Sequence, residues 1–106
     1  MHVETLINKI VKRISDNYKP EKIILFGSYA YGNPEQGSDI DLFIVKDENK
    51  KRIDRSCEVM RLLREIKGVS IEPIVFTNAE LQERLKLEDD FILEIINKGK
   101  VLYERK

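Results

Sequence analysis

Lys22-Ile23-Ile24-Leu25-Phe26-Gly27-Ser28 and, beginning ten residues after Ser28, Ser38-Asp39-Ile40-Asp41-Leu42-Phe43-Ile44-Val45 decide how this chain folds. Ile23 to Phe26 is a continuous apolar run, typical of a strand covered on both faces and therefore central in a sheet. Gly27 breaks it and lets the backbone approach a phosphate with no side chain in the way. Ser28 is expected to cap the next turn through its hydroxyl, and the amides behind it form a helix N-terminus facing anions. Asp39 to Val45 alternates and then turns apolar, as a strand does on passing from a rim into a core. Asp39 and Asp41, two apart on such a strand, leave the same face, while Ile40 and Leu42 point into the core. Two carboxylates this close repel unless a cation lies between them. Oxygen-only ligands suit magnesium, which takes one or two carboxylates plus substrate phosphates. An Asp-x-Asp alone is more often a solvated strand end, and a Gly-Ser alone a capped turn. At this spacing the two together read as a nucleoside-triphosphate site.

The flanks fit around that pair. Residues 2–17 carry Val3, Leu6, Ile7, Ile10, Val11 and Ile14 at the spacing of an amphipathic helix. Tyr18-Lys19-Pro20 ends it, because the residue before a proline is pushed out of helical geometry. Residues 33–37 read as a loop, and Lys46 to Arg52 as a charged connection with bases that could assist a triphosphate. Residues 53–67 return to helical spacing at Ile53, Cys57, Met60, Leu63 and Ile66, which predicts those residues in the core. Gly68 follows that helix. Residues 69–76 are the third strand, where Pro73 marks an edge because it cannot donate to a ladder. Thr77-Asn78-Ala79-Glu80 has the form of a capping box. It opens a helical stretch to about Asn97, divisible near Glu88-Asp89-Asp90. Gly99 ends that stretch, and Lys100 to Tyr103 offers a last short strand. The fold class is α/β (α+β): a small mixed sheet of three to four strands covered by helices.

Bulk properties narrow the function. The 106 residues are expected to form one domain, spanning 1–106. Nineteen basic and nineteen acidic residues cancel, so no global field calls for DNA or an anionic membrane, and little repulsion opposes self-association. A single cysteine rules out an internal disulfide, and Cys57 is placed in the core. No apolar run spans a membrane and no cleavage site marks a signal peptide, which predicts a cytoplasmic protein. His2, Phe26, Phe43 and Tyr103 are assigned no chemistry; the two phenylalanines are expected in the core.

Leu25-Phe26-Gly27-Ser28-Tyr29-Ala30-Tyr31-Gly32 and Ser38-Asp39-Ile40-Asp41-Leu42-Phe43-Ile44-Val45 together resemble the signature of the DNA-polymerase-β-like nucleotidyltransferase superfamily. The short chain is similar to its minimal nucleotidyltransferase (MNT) branch. The specific likeness runs from Phe26 to Val45; beyond it, only the order of elements matches. The resemblance implies a third carboxylate on a later strand, at Glu72, where aspartate is usual. It also implies arginine within the turn, where this chain has Tyr29 and Tyr31.

What the resemblance implies is transfer of a nucleoside monophosphate, AMP from ATP in the first instance, to a hydroxyl acceptor. Asp39, Asp41 and Glu72 would be catalytic and hold two Mg2+ ions, with Glu72 on the acceptor side. Gly27 and Ser28 would bind the nucleotide. The same branch implies a HEPN-domain partner, a toxin neutralised by binding or by adenylylation of a tyrosine, so that this chain acts as an antitoxin. A domain this small has little room for its own acceptor pocket, consistent with an acceptor on another molecule. Glu72 and the tyrosines of the turn keep a second reading open: a nucleotidyltransferase-fold antitoxin, weak or inactive in catalysis, that acts by binding alone.

Overall fold

The computed structural model describes residues 3–32 and 38–105. In order the elements are α1 (Val3–Asn17), β1 (Lys22–Phe26), α2 (Ser28–Tyr31), β2 (Ile40–Val45), α3 (Arg52–Leu62), β3 (Ile71–Phe76), α4 (Asn78–Lys86), α5 (Asp90–Lys98) and β4 (Lys100–Glu104). His2 and the loop expected over 33–37 lie outside the described residues. The four strands form one mixed sheet in the order β3-β2-β1-β4. β1 pairs antiparallel with β2 and β4, and β2 pairs parallel with β3.

Strand alternation splits the core into two layers. Ile23, Leu25, Ile40, Leu42, Ile44, Ile71 and Val75 face α1 and α3, where Ile10, Ile14 and Val59 are fully enclosed. Ile24, Phe26, Phe43, Val45 and Phe76 face α4 and α5, meeting Leu81, Ile92 and Ile95. β1 is interior, as its apolar run predicts. Phe26 and Phe43 are core residues. Tyr103, left without a role, packs its ring partly against the first layer.

β3 is an outer strand, in keeping with Pro73. The carbonyls of Ser70 and Phe76 accept from Ile40 and Lys46 on either side of the β2 pairing. The odd-numbered positions therefore point to the open edge. There Pro73 has no N–H to leave unpaired. Its carbonyl accepts from the Ser56 hydroxyl at 3.4 Å, and the Val75 carbonyl accepts from Arg55 Nε at 3.3 Å.

Arg55 also overturns the expected face of α3. Arg55 is 2% exposed, and its guanidinium donates as well to the Lys50 carbonyl and to Glu80 Oε1, both at 2.5 Å. A residue two positions earlier lies about 200° round a helix, so anchoring Arg55 and Val59 inward turns Ile53, Cys57 and Met60 outward. Ile53 is 67% and Met60 44% exposed, and Cys57 is a surface thiol rather than a core residue. The helix also ends at Leu62, not Lys67. Leu63 and Ile66 are still buried, but from the turns that follow.

The remaining boundaries follow local chemistry. Thr77 and Glu80 form the predicted capping box. The last helical stretch divides at Glu88, which takes a left-handed φ of 54°, and Asp89 caps α5 through the amides of Phe91 and Ile92. β3 starts at Ile71 rather than Val69, and Asp39 lies one residue before β2. Lys46, at the far end of β2, donates to the Tyr18 carbonyl at 2.7 Å and sits over the Tyr18 ring. Burial, then Glu48, holds the Tyr18 hydroxyl well above its ordinary range, so it donates to Glu48 at 2.7 Å.

Candidate active site

The candidate residues gather at one end of the sheet, on the α4–α5 face. Phe26 stands opposite Asp41 in the β1–β2 register, and Asp41 opposite Glu72 in the β2–β3 register. Neighbouring strands are about 4.8 Å apart. The Gly27 turn, Asp41 and Glu72 thus form a row across three strands. Gly27 has φ 74° and ψ −159°, a conformation open to glycine. A Cβ there would collide with the Asp41 carboxylate at Oδ2. The glycine is required twice, for the turn and for the carboxylate beside it.

Ser28 differs from its expected role. Gly27 occupies the N-cap and Ser28 is the first helical residue, with no side-chain cap bond. The Gly27 carbonyl accepts from Ala30 and Tyr31, both at 3.0 Å. The amides of Ser28 and Tyr29 have no acceptor within so short a helix, and the Ser28 hydroxyl is not committed to capping. Tyr29 packs against the core, whereas Tyr31 is exposed. A depression of about 360 Å³ lies beside the turn, between Tyr29, Ser38 and the Gly68–Ser70 segment.

The three carboxylates are coupled by mutual repulsion. Burial, then the charge of Glu72, then that of Asp39, pushes the Asp41 carboxyl above its ordinary value. Asp39 therefore acts on Asp41 although it precedes the strand. Among the described residues none of the three has a basic partner. Nor, among those residues, do three acidic, histidine or cysteine side chains converge closely enough to enclose an ion by themselves. The donor set still fits magnesium, which completes its shell with water and substrate phosphates. A divalent cation would relieve the repulsion recorded at Asp41.

Two of the bases that could have assisted a triphosphate are engaged elsewhere. Lys46 is five residues along β2 from Asp41, about 16 Å by strand rise, and is committed to Tyr18. Lys50 pairs with Glu48 and Glu58. Sequence reasoning passed over Phe91. Its ring meets Phe26 edge-on at 5.7 Å, beside Asp41, while remaining 49% exposed. The exposure of one aromatic on a helix that faces the core was not readable from spacing.

A mixed sheet between two helical layers, with a Gly-Ser turn facing an acidic strand, is the architecture of a nucleotidyltransferase. The chain belongs to the polymerase β nucleotidyltransferase family: the family model "Polymerase beta, Nucleotidyltransferase" matches residues 8–106. It is an enzyme fold whose members generally use divalent metal ions. Two relatives come from Methanocaldococcus jannaschii. "Putative protein adenylyltransferase MJ0604" is 35% identical over 105 residues, covering 97% of this chain and all of that one. "Putative protein adenylyltransferase MJ1305" is 33% identical over 116 residues, covering 96% of this chain and 75% of that one. Among solved structures, a "putative nucleotidyltransferase from Sulfolobus solfataricus" superposes with a TM-score of 0.64 at 24% identity, over 95% of this chain and 79% of that one. A mutant of the toxin-antitoxin complex MntA-HpeT superposes at 0.62 with 25% identity, over 94% and 73%. Among the described residues no helix is long and apolar enough to cross a membrane.

Proposed function

We propose that this chain transfers AMP from ATP to a tyrosine hydroxyl of a protein partner, a HEPN-type toxin, and thereby acts as its antitoxin. The observation that carries the reading is the row formed by the Gly27 turn, Asp41 and Glu72 across adjacent strands. Support comes also from relatives named as protein adenylyltransferases and from structural neighbours that are toxin-antitoxin complexes, one of them with AMP-PNP. In this reading Asp39, Asp41 and Glu72 hold magnesium, which supplies Lewis-acid stabilisation of the phosphates and a lower acceptor pKa. Gly27 gives the β- and γ-phosphates close access to the backbone, and the Ser28 hydroxyl and turn amides donate to them. Glu72, exposed and outermost of the row, accepts the phenolic proton. The acceptor oxygen–phosphorus bond forms as the bond from the α-phosphorus to the bridging oxygen breaks, and pyrophosphate leaves with the electron pair. Replacing Asp39 and Asp41 by asparagine is expected to abolish magnesium-dependent incorporation of labelled AMP. Undiminished labelling by that double variant would refute the assignment.

Two observations favour the alternative, an antitoxin that works by occlusion. Glu72 is a glutamate on an outer strand, and Tyr29, half-buried against the core, carries no guanidinium to clamp phosphate. Mass spectrometry of the partner after incubation with the chain, ATP and magnesium separates the two. Neutralisation with no added AMP, surviving Asp39→Asn, selects occlusion.

A further inference from the structure

At the outer edge of β3, where Ile74 and Phe76 share the sheet face of Asp41 and Glu72, a groove of about 630 Å³ opens between α3 on one face and α5 on the other. Ile53, Ile74 and Phe91 supply its apolar lining, and Lys51, Arg52 and Arg84 line it too. Arg84 is paired with Asp89 at 3.1 Å. Lys51 and Arg52 have no carboxylate partner among the described residues, and Arg52 lies over the Phe76 ring. Phe91 joins the groove to the carboxylates, since its other side meets Phe26 next to Asp41.

The position of the groove gives it a direction. The Gly27 turn is on the β1 side of Asp41 and the groove on the β3 side. Displacement at phosphorus places the attacking and leaving oxygens in line. With the departing phosphates at the turn, the attacking hydroxyl must arrive from β3. We infer that this groove docks the acceptor, as an acidic-apolar segment of a protein partner whose leucine-like side chains fill the lining and whose carboxylates meet Lys51 and Arg52. The outward-turned apolar residues of α3, which begin at Ile53, extend the same surface. The inference rests on the transferase reading for its direction, but the binding it describes can be measured without catalysis.

The probe is a fluorescein-labelled synthetic peptide of alternating glutamate and leucine with one central tyrosine. Binding by anisotropy is expected for the unaltered chain, weakened at least tenfold by Arg52→Glu and by Ile53→Glu, and unchanged by Lys9→Glu on the exposed face of α1. Both groove variants change exposed side chains and are expected to keep the native circular dichroism spectrum and the affinity for a fluorescent ATP analogue with magnesium. Peptide binding that ignores both variants, absence of binding, or displacement of the peptide by ATP overturns the assignment, the last giving the groove to the nucleotide. Binding without AMP transfer to the tyrosine would leave the groove standing and count against the transferase reading. Transfer at an equal rate in Ile53→Glu would do the reverse.

Discussion

Replacing Gly27 by alanine would set a methyl group against the Asp41 carboxylate while forcing a φ of 74° on a residue that disfavours it. The expected loss is about 1–3 kcal/mol of stability, with a fall in AMP transfer of at least about a hundredfold as the carboxylate is displaced. Urea unfolding and a labelled-nucleotide assay measure the two separately. Native-like transfer by Gly27→Ala would show that the contact does not set the geometry of Asp41. Cys57 makes the opposite case. It is a surface thiol, so Cys57→Ala is expected to change stability by no more than about 0.5 kcal/mol, and Ellman's reagent should titrate the thiol in the folded chain. Slow labelling that requires denaturant would return it to the interior.

At the scale of elements, α3, β3 and α4 are fastened together by Arg55 and Glu80. Burial pushes the Glu80 carboxyl up, but the Thr77 amide and the Arg55 guanidinium outweigh it and hold it below its ordinary value of 4.5. A lowered carboxyl favours folding above its unfolded value, and that contribution is lost as pH falls through the folded one. Wild-type stability should therefore decline below about pH 4.5 more steeply than that of Glu80→Gln. Parallel pH profiles of the two by chemical denaturation provide the check, and profiles of equal slope would remove Glu80 from the acid limb. The same cluster explains what the sequence could reveal. β1 and β2, the capping box at Thr77, the edge position of Pro73 and the division before Asp90 follow from signals contained in a few consecutive residues. The inward face of α3 does not. Apolar spacing favoured Ile53, Cys57 and Met60, whereas the deciding residue is an arginine whose acceptors lie at Lys50, Val75 and Glu80. Likewise Asp41 and Glu72 are 31 positions apart in the sequence and neighbours only through the β2–β3 register. Spacing could nominate each carboxylate, but only the sheet order places them side by side.

For the molecule as a whole, three carboxylates with no basic partner among the described residues mean that the fold holds unrelieved repulsion at one end of its sheet. ATP with magnesium at a hundred times its Kd should add about 2.7 kcal/mol of stability by mass action. In a domain of this size that is a rise in Tm on the order of 10 °C. Thermal melts should show it for the native chain and lose it for Asp41→Asn; an equal shift in the variant would place the metal-nucleotide complex elsewhere. The outer edge of β3 has a different kind of consequence. A chain with a formal net charge of zero has little long-range repulsion to keep its copies apart, and an open strand edge is a template for another chain. With Pro73 offering no hydrogen to share and the carbonyls of Pro73 and Val75 already engaged by Ser56 and Arg55, the middle of this border is a poor template for a further strand. Resistance to fibre formation at that edge is thus written into the backbone and its two neighbouring side chains.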